Sequence, residues 1–270
     1  MKLAICFTVF DGIELLEKAI LSAQEWADDV IVCWQEISNR GHQSKTIESD
    51  LLALQILLPG PDIHLVKYET NLTKGTKFNE RVKHNLMMEV ARARGNTHFV
   101  MAATDHFYLA QEVEYAKRVV LESGFDVTFT AMYTYYKFPS WQLTPREDYY
   151  MPFICELTPE TKIERVGAGY PIYVDPSVQV TPCKRHSLFT DREIMLHHYS
   201  MVRVNMYEKF KNAASGWNED QMAEFLEEHA LYNLKDNPGV KYFQGRKIVE
   251  VPDYFGLNSI FEPQTTQTKE

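Results

Sequence analysis

Thr97-His-Phe-Val-Met-Ala-Ala-Thr-Asp105-His-Phe107 is the stretch that decides how this chain is read. Six residues suited to a buried strand, His98 to Ala103, run into the carboxylate Asp105. In open α/β sheets ligands sit outside the carboxyl ends of the strands, so an acid delivered there by an apolar strand points at a site. A second reading makes Asp105 the N-cap of the helical segment Tyr108 to Ser123, because Asp is a favoured cap.

Working outward, the preceding chain repeats one pattern. Leu3 to Val9 is apolar throughout, as a strand buried on both faces of a parallel sheet should be. Asp11-Gly12 breaks it. Ile13, Leu16, Ala19, Ile20, Ala23 and Ala27 then recur at helical spacing. A strand at Val30 to Trp34, a helix at Ile47 to Leu57 stopped by Pro59-Gly60-Pro61, and a strand at Ile63 to Tyr68 follow. A long helix from Phe78 to Arg94, ended by Gly95-Asn96, leads into the opening stretch. This β-α-β-α-β series predicts an α/β fold with a mainly parallel sheet. Downstream, strands are expected at Val127 to Met132, Ile172 to Gln179, Glu193 to Tyr199, Val240 to Phe243 and Lys247 to Val251. Helices are expected at Val204 to Ala213 and Asn218 to His229, with fraying after Phe261. The aromatic-rich segment Tyr133 to Phe153 reads as loops and strands lining a cleft, or as an aromatic core or interface.

The chain has 270 residues, 45% of them hydrophobic and 24% charged, enough for a substantial core in one domain with a C-terminal elaboration. No apolar run approaches the roughly 20 residues of a membrane span. The seven mostly apolar residues after Lys2 read as a strand rather than a signal peptide, so a cytoplasmic protein is expected. Four scattered cysteines without a C-x-x-C pair read as buried thiols. A net charge of -9 disfavours electrostatic coating of nucleic acid, although Arg81, Lys83, His84, Arg92 and Arg94 make one helix basic.

Neither a Gly-x-Gly-x-x-Gly turn after the first strand nor a Gly-x-x-x-x-Gly-Lys-Ser/Thr loop is present, which removes the usual dinucleotide and P-loop readings. A second conspicuous cluster is Leu196-His197-His198-Tyr199-Ser200. One Asp, one His and a diphosphate make a chemically sensible shell for Mn²⁺, or with more oxygen ligands for Mg²⁺. Because neighbouring strand residues face opposite ways, only one of His197 and His198 reaches a given site. Lys77, Asn79 and Lys83 share the long helix, but Lys77 and Asn79 diverge by about 200° and share a ligand only near the helix start.

Three sets of residues together resemble a glycosyltransferase family 2 domain of the GT-A fold. They are Leu3 to Asp11, Ala27-Asp-Asp-Val-Ile-Val32, and Lys77-x-Asn79 ahead of Thr97 to Phe107. The segment His197-His-Tyr-Ser-Met-Val-Arg203, followed by Lys209-x-x-Asn212, resembles family 2-like proteins of large tailed bacteriophages. The resemblance covers roughly residues 1 to 215 and implies a catalytic domain there, with a nucleotide-binding part to about 132 and an acceptor and metal part to 215. Residues 216 to 270 would be an extension packed on it. It implies Thr8, Phe10, Asp11, Gln35, Glu36, Lys77, Asn79, Thr104, Arg203 and Lys209 as contacts to a nucleotide-sugar, a UDP-sugar first. Asp105 and His198 would hold Mn²⁺ or Mg²⁺, and Glu147 or Asp148 would act as the base on an acceptor hydroxyl. A phage setting, in the host cytoplasm, would make 5-hydroxymethylpyrimidine DNA the acceptor, with lipopolysaccharide or another glycan as the alternative. A nucleotidyltransferase and a non-catalytic sugar-nucleotide binder are the other readings. The chain departs from the family where Asp-x-Asp-Glu is replaced by Ala103-Thr-Asp-His106, which removes the first acid, and where Gln35-Glu36 replaces the acid after the second strand.

Overall fold

The computed structural model describes residues 1–44, 46–58, 63–213, 218–231 and 242–261. The first half alternates strand and helix: β1 (Leu3–Val9), α1 (Ile13–Gln24), β2 (Asp29–Trp34), α2 (Ile47–Leu57), β3 (Ile63–Lys67), α3 (Thr76–Ala93) and β4 (His98–Ala103). Then come β5 (His106–Phe107), α4 (Ala110–Ser123), β6 (Val127–Tyr136), β7 (Trp141–Thr144), β8 (Tyr150–Glu156), β9 (Lys162–Ile163), β10 (Val180–Thr181), β11 (His186–Leu188) and β12 (Leu196–Met201). The C-terminal part holds α5 (Met206–Asn212), α6 (Glu219–Leu231), β13 (Tyr242–Phe243), β14 (Arg246–Glu250) and α7 (Asn258–Phe261).

Among the described residues the main sheet has the order β13-β14-β7-β6-β8-β4-β1-β2-β3, with β11 and β12 attached at β6 and β5 paired with β12. β4, β1, β2 and β3 pair in parallel, which is the half that the apolar, non-alternating strands predict. Every residue of β2 is buried, and β1 is buried but for a half-buried Thr8. β8 enters antiparallel between β4 and β6, making the sheet mixed. The carboxyl ends of β1, β2 and β4 therefore lie side by side, and the loops that leave them share one rim.

Several expectations change. The strand expected at 172–179 is absent: Pro171 and Pro176 interrupt the chain, and Asp175 accepts from the Ser177 amide at 2.7 Å, closing a turn. The helix expected from Val204 starts at Met206, because the Asn205 side chain accepts from the Glu208 amide at 3.1 Å and caps it. The aromatic stretch is core rather than cleft lining over Tyr135, Tyr136, Trp141 and Phe153, each at most 2% exposed. Tyr135 stacks on Tyr199 at 4.2 Å and Tyr136 on Phe243 at 4.1 Å. Tyr136, Trp141 and Leu143 join Met206, Phe210, Phe225, Phe243 and Ile248 in a second apolar cluster, which fastens the C-terminal elements to the sheet. The Pro59-Gly60-Pro61 stop, Val240 and the chain after Phe261 lie outside the described residues. Cys6, Cys33 and Cys155 are buried free thiols and Cys183 a half-buried one.

Candidate active site

The rim formed by β1, β2 and β4 holds a cleft of about 270 Å³. Thr8, Phe10 and Asp11 line it from the end of β1, Gln35, Ser38 and Asn39 from the end of β2, and Ala103 and Thr104 from the end of β4. α3 contributes Glu80 and Lys83, while the segment from β12 into α5 contributes Arg203, Lys209 and Asn212. Residues far apart in sequence converge here because parallel strands carry their loops to one edge.

Asp105 is buried against two of these lining residues, 1% exposed, and its Oδ2 accepts from Arg203 Nη2 at 2.5 Å and from Lys209 Nζ at 3.0 Å. It is not the cap of α4, whose N-cap position is Leu109. Burial works to raise the Asp105 carboxyl, yet Lys209 and Arg203 outweigh it and hold the group well below the usual carboxylate range. Nearby Asp11 shifts the other way, raised by burial first and by the Asp105 and Glu14 carboxylates, against the same two cations.

Two imidazoles face the carboxylate. His106 Nε2 is 3.8 Å from Oδ1, and His198 Nε2 is 4.0 Å from Oδ2. Strand alternation sends His197 the other way, where its Nδ1 lies 2.6 Å from the Tyr135 hydroxyl. Burial pushes His106 down to about 3 and His198 to about 4, so both rings are neutral at physiological pH. Ligand atoms of Asp105, His106 and His198 all lie within 4.8 Å of one another. Two atoms each about 2.1 Å from one ion can be at most about 4.2 Å apart, and each histidine meets that limit with a different carboxylate oxygen, His106 with Oδ1 and His198 with Oδ2. An ionised carboxylate with two neutral imidazoles is a donor set that suits a divalent cation, Mn²⁺ better than Mg²⁺ for its nitrogen content.

Arg203 is threaded under the turn after β1. A Cβ on Gly12, which has φ +69°, would come within 1.5 Å of Arg203 Nη1. Arg203 Nη1 donates to Thr104 Oγ1 at 3.3 Å, and Arg203 Nε is buried without a partner among the described residues. Elsewhere in the cleft Lys83 Nζ donates to Glu80 Oε1 at 2.8 Å, Glu80 also accepts from Asn39 Nδ2, and the buried Gln35 Oε1 has no partner among the described residues.

The structure brings Thr8, Phe10, Asp11, Gln35, Thr104, Arg203 and Lys209 to the cleft wall, while Asp105 and His198 do not line it: Asp105 is buried against Arg203 and Lys209, and His198 Nε2 lies 4.0 Å from its Oδ2. It places three others elsewhere. Glu36 pairs with Lys67 at 2.9 Å, Lys77 pairs with Asp175 at 2.9 Å, and the fully buried Asn79 accepts from the Tyr68 hydroxyl at 2.6 Å and the Asn71 amide at 3.1 Å. Glu147 accepts from Thr134 Oγ1 at 2.8 Å and Arg246 Nη1 at 2.9 Å, and Thr134 is the strand partner of His198. Asp148 is exposed on the adjoining turn. Sequence reasoning did not single out Gly12, Ser38, Asn39 or Glu80 as site residues. The Glu80–Lys83 pair had a signal, an acid and a base three apart on a helix.

Fold and cleft together define an α/β protein with an acid-centred, cation-lined site at the carboxyl ends of its parallel strands. No protein-family model matches the sequence, and no curated protein does. Among solved structures the chain is similar to S. aureus TarS 1–349, with 13% identity over 87% of this chain and 74% of that one, TM-score 0.48. It is similar to the same protein in complex with UDP-GlcNAc, at 12% identity, 87% and 74% coverage and TM-score 0.46. A third likeness is to the mannosyltransferase PcManGT from Pyrobaculum calidifontis in complex with GDP-Man and Mn²⁺, at 12% identity, 51% and 36% coverage and TM-score 0.37.

Proposed function

We propose that this chain is a glycosyltransferase of the GT-A type that moves a sugar from a nucleotide-sugar to an acceptor hydroxyl. The observation that carries this reading is that Arg203 and Lys209 line a cleft framed by the carboxyl ends of β1, β2 and β4 while both donate to the buried Asp105 beside it. Such a cleft suits an anionic ligand with a flat head: Arg203 and Lys209 offer donors to a diphosphate, and Gln35, Asn39 and the Glu80–Lys83 pair offer donors and acceptors to a base. A UDP-sugar remains the first donor to test and a GDP-sugar the second.

Asp105, His198 and His106 would hold the divalent cation. Bound there, it would offset charge on the departing diphosphate as a Lewis acid. The chain's own residues account for the rest. Arg203 and Lys209 bind the phosphates, and Thr104 orients Arg203. Transfer breaks the bond from the anomeric carbon to the diphosphate oxygen and forms one from that carbon to the acceptor oxygen. The acceptor proton passes to a carboxylate. Glu147 is the candidate because Thr134 and Arg246 fix its Oε1 on the His198 side of the sheet.

A glycan hydroxyl is favoured over DNA as acceptor. Three of the five basic residues in and just after α3 that pointed to nucleic acid are engaged internally: Lys83 with Glu80, Arg92 with Glu89 and the Thr158 and Thr161 carbonyls, and Arg94 with Asp29.

A thermal-shift panel of UDP-, GDP-, CDP- and ADP-sugars with and without Mn²⁺ tests the donor reading, since stabilisation follows ligand concentration over affinity. One nucleotide class should stabilise the protein, and His198→Ala should lose Mn²⁺-dependent hydrolysis or transfer of that sugar nucleotide. Glu147→Gln should keep donor binding and lower transfer by about 10²- to 10⁴-fold. Absence of any nucleotide effect across the panel would refute the reading.

A further inference from the structure

Asp105 Oδ2 has three claimants. It is the oxygen that faces His198 Nε2 at 4.0 Å, and it already accepts from Arg203 Nη2 at 2.5 Å and Lys209 Nζ at 3.0 Å. A divalent ion lying between Asp105 and His198 would need that same oxygen, and would enter beside two fixed positive charges in a buried setting where Coulomb repulsion is poorly screened. Two side-chain cations already sit on this one oxygen before any metal arrives, with the buried Asp11 carboxyl also facing them. A diphosphate competes for both cations by bringing several negative charges.

Both cations have donors to give it. Arg203 Nε is buried and unpartnered, in a guanidinium whose other nitrogens hold Thr104 and Asp105. Lys209 has three N–H donors and sits on α5, with its side chain 23% exposed against 2% for Arg203. The far end of α5 is tied across the cleft, with His42 Nδ1 3.0 Å from Asn212 Oδ1 and Arg40 Nε donating to the Ala213 carbonyl at 2.7 Å. Lys209 can therefore change partner by turning its own side chain, without loss of the helix position.

We propose that Arg203 and Lys209 are built-in counter-ions of Asp105 that a nucleoside diphosphate draws off, so that the divalent cation binds tightly only after the nucleotide. This rests on the nucleotide-sugar reading of the cleft, and it assigns the site an order that the reading alone does not contain. The two cations do two jobs in turn. Before nucleotide arrives they neutralise a buried carboxylate, and afterwards they hold phosphate while the freed oxygen completes the cation's shell.

The test is Mn²⁺ binding to the full chain, read from the electron paramagnetic resonance signal of free Mn²⁺, with no nucleotide and with saturating UDP or GDP. Metal-free thermal shift reports nucleotide binding in parallel. Wild type should bind Mn²⁺ weakly alone and at least about tenfold more tightly with the nucleotide, which by linkage also binds more tightly with Mn²⁺. Lys209→Met should bind Mn²⁺ at least about tenfold more tightly than wild type when nucleotide is absent, and should gain less from adding it. Lys209→Gln serves if the methionine variant fails to fold.

Equal Mn²⁺ affinity of wild type and variant without nucleotide overturns the proposal. So does a wild-type affinity that a stabilising nucleotide leaves unchanged, and in that case the functional reading survives. If no nucleotide stabilises the protein with or without Mn²⁺, the functional reading falls and this inference falls with it.

Discussion

At the scale of single residues, loss of function and loss of fold have to be kept apart, and Asp105 is where they mix. Its carboxylate is the acceptor for a buried arginine and a lysine, so Asp105→Asn leaves two cations short of their counter-charge. Breaking a buried pair in this way costs about 3–5 kcal/mol, and urea denaturation of Asp105→Asn should show a drop of that size. An unchanged midpoint would mean that the cations repartner easily. His198, whose Nδ1 lacks a partner and whose side chain is 24% exposed, is the cleaner probe of chemistry. Gly12 is a test of a different kind. Its φ of +69° and the 1.5 Å approach to Arg203 leave no room for a side chain, so Gly12→Ala should lower stability by about 1–3 kcal/mol and push Arg203 off Thr104. The nucleotide-induced thermal shift should shrink in the same variant, and a wild-type shift would show that Arg203 does not meet the nucleotide. Asp105 stood out in the sequence because a lone acid after an apolar strand is conspicuous. Gly12 did not, because a glycine after a strand is an ordinary turn residue until the atom above it is known.

At the scale of elements, the parallel half of the sheet was legible throughout and the mixed half only in part, at β6, β12 and β14, for one physical reason. β1, β2 and β4 are buried on both faces, so their composition alone marks them. The strands after Tyr133 are aromatic and interrupted by Pro139, Pro145 and Pro152, and aromatic residues suit a cleft as well as a core. Only the pairing of β6 with β8, β11 and β12 decides it. Short strands such as β9, β10 and β11 are two or three residues long and leave no periodic trace. α3 shows how a motif can lie in the right element with a different task. Asn79 spends its side chain on the loop after β3, holding Tyr68 and Asn71 at the start of the helix. Asn79→Ala removes those bonds and strands buried partners, so stability should fall by about 1–3 kcal/mol in chemical denaturation. Nucleotide affinity of the folded protein should stay at the wild-type value in calorimetry, and a tenfold loss would return Asn79 to the binding site.

At the scale of the whole molecule, the acid limb of stability follows from how histidine is used. His84, His98, His197 and His229 come from α3, β4, β12 and α6, and in each case burial pushes the imidazole down to about 4. The unfolded chain binds these protons near the ordinary histidine value of about 6.5, while the folded chain holds the rings neutral until pH approaches 4. Between those limits the unfolded state carries more protons, so stability rises with pH across the window and is lost as pH falls through it. Asp105 adds to the same limb lower down: its folded value is depressed, so its contribution is present above the unfolded carboxylate range and disappears as pH drops through the folded value. Thermal melts in matched ionic strength should therefore show a Tm that is flat above about pH 7 and falls steadily from about pH 6.5 towards pH 4. His197→Phe should flatten part of that slope, because it removes one titrating ring from between Tyr133, Tyr135 and Phe255 while keeping an aromatic there. A Tm independent of pH from 7 to 5 would mean that these rings take up protons in the folded state as readily as in the unfolded one, and that the burial seen here opens in solution. The same melts bear on the site, since a sheet that loosens with acid loosens β12 and with it His198, so donor binding should weaken over the window in which Tm falls.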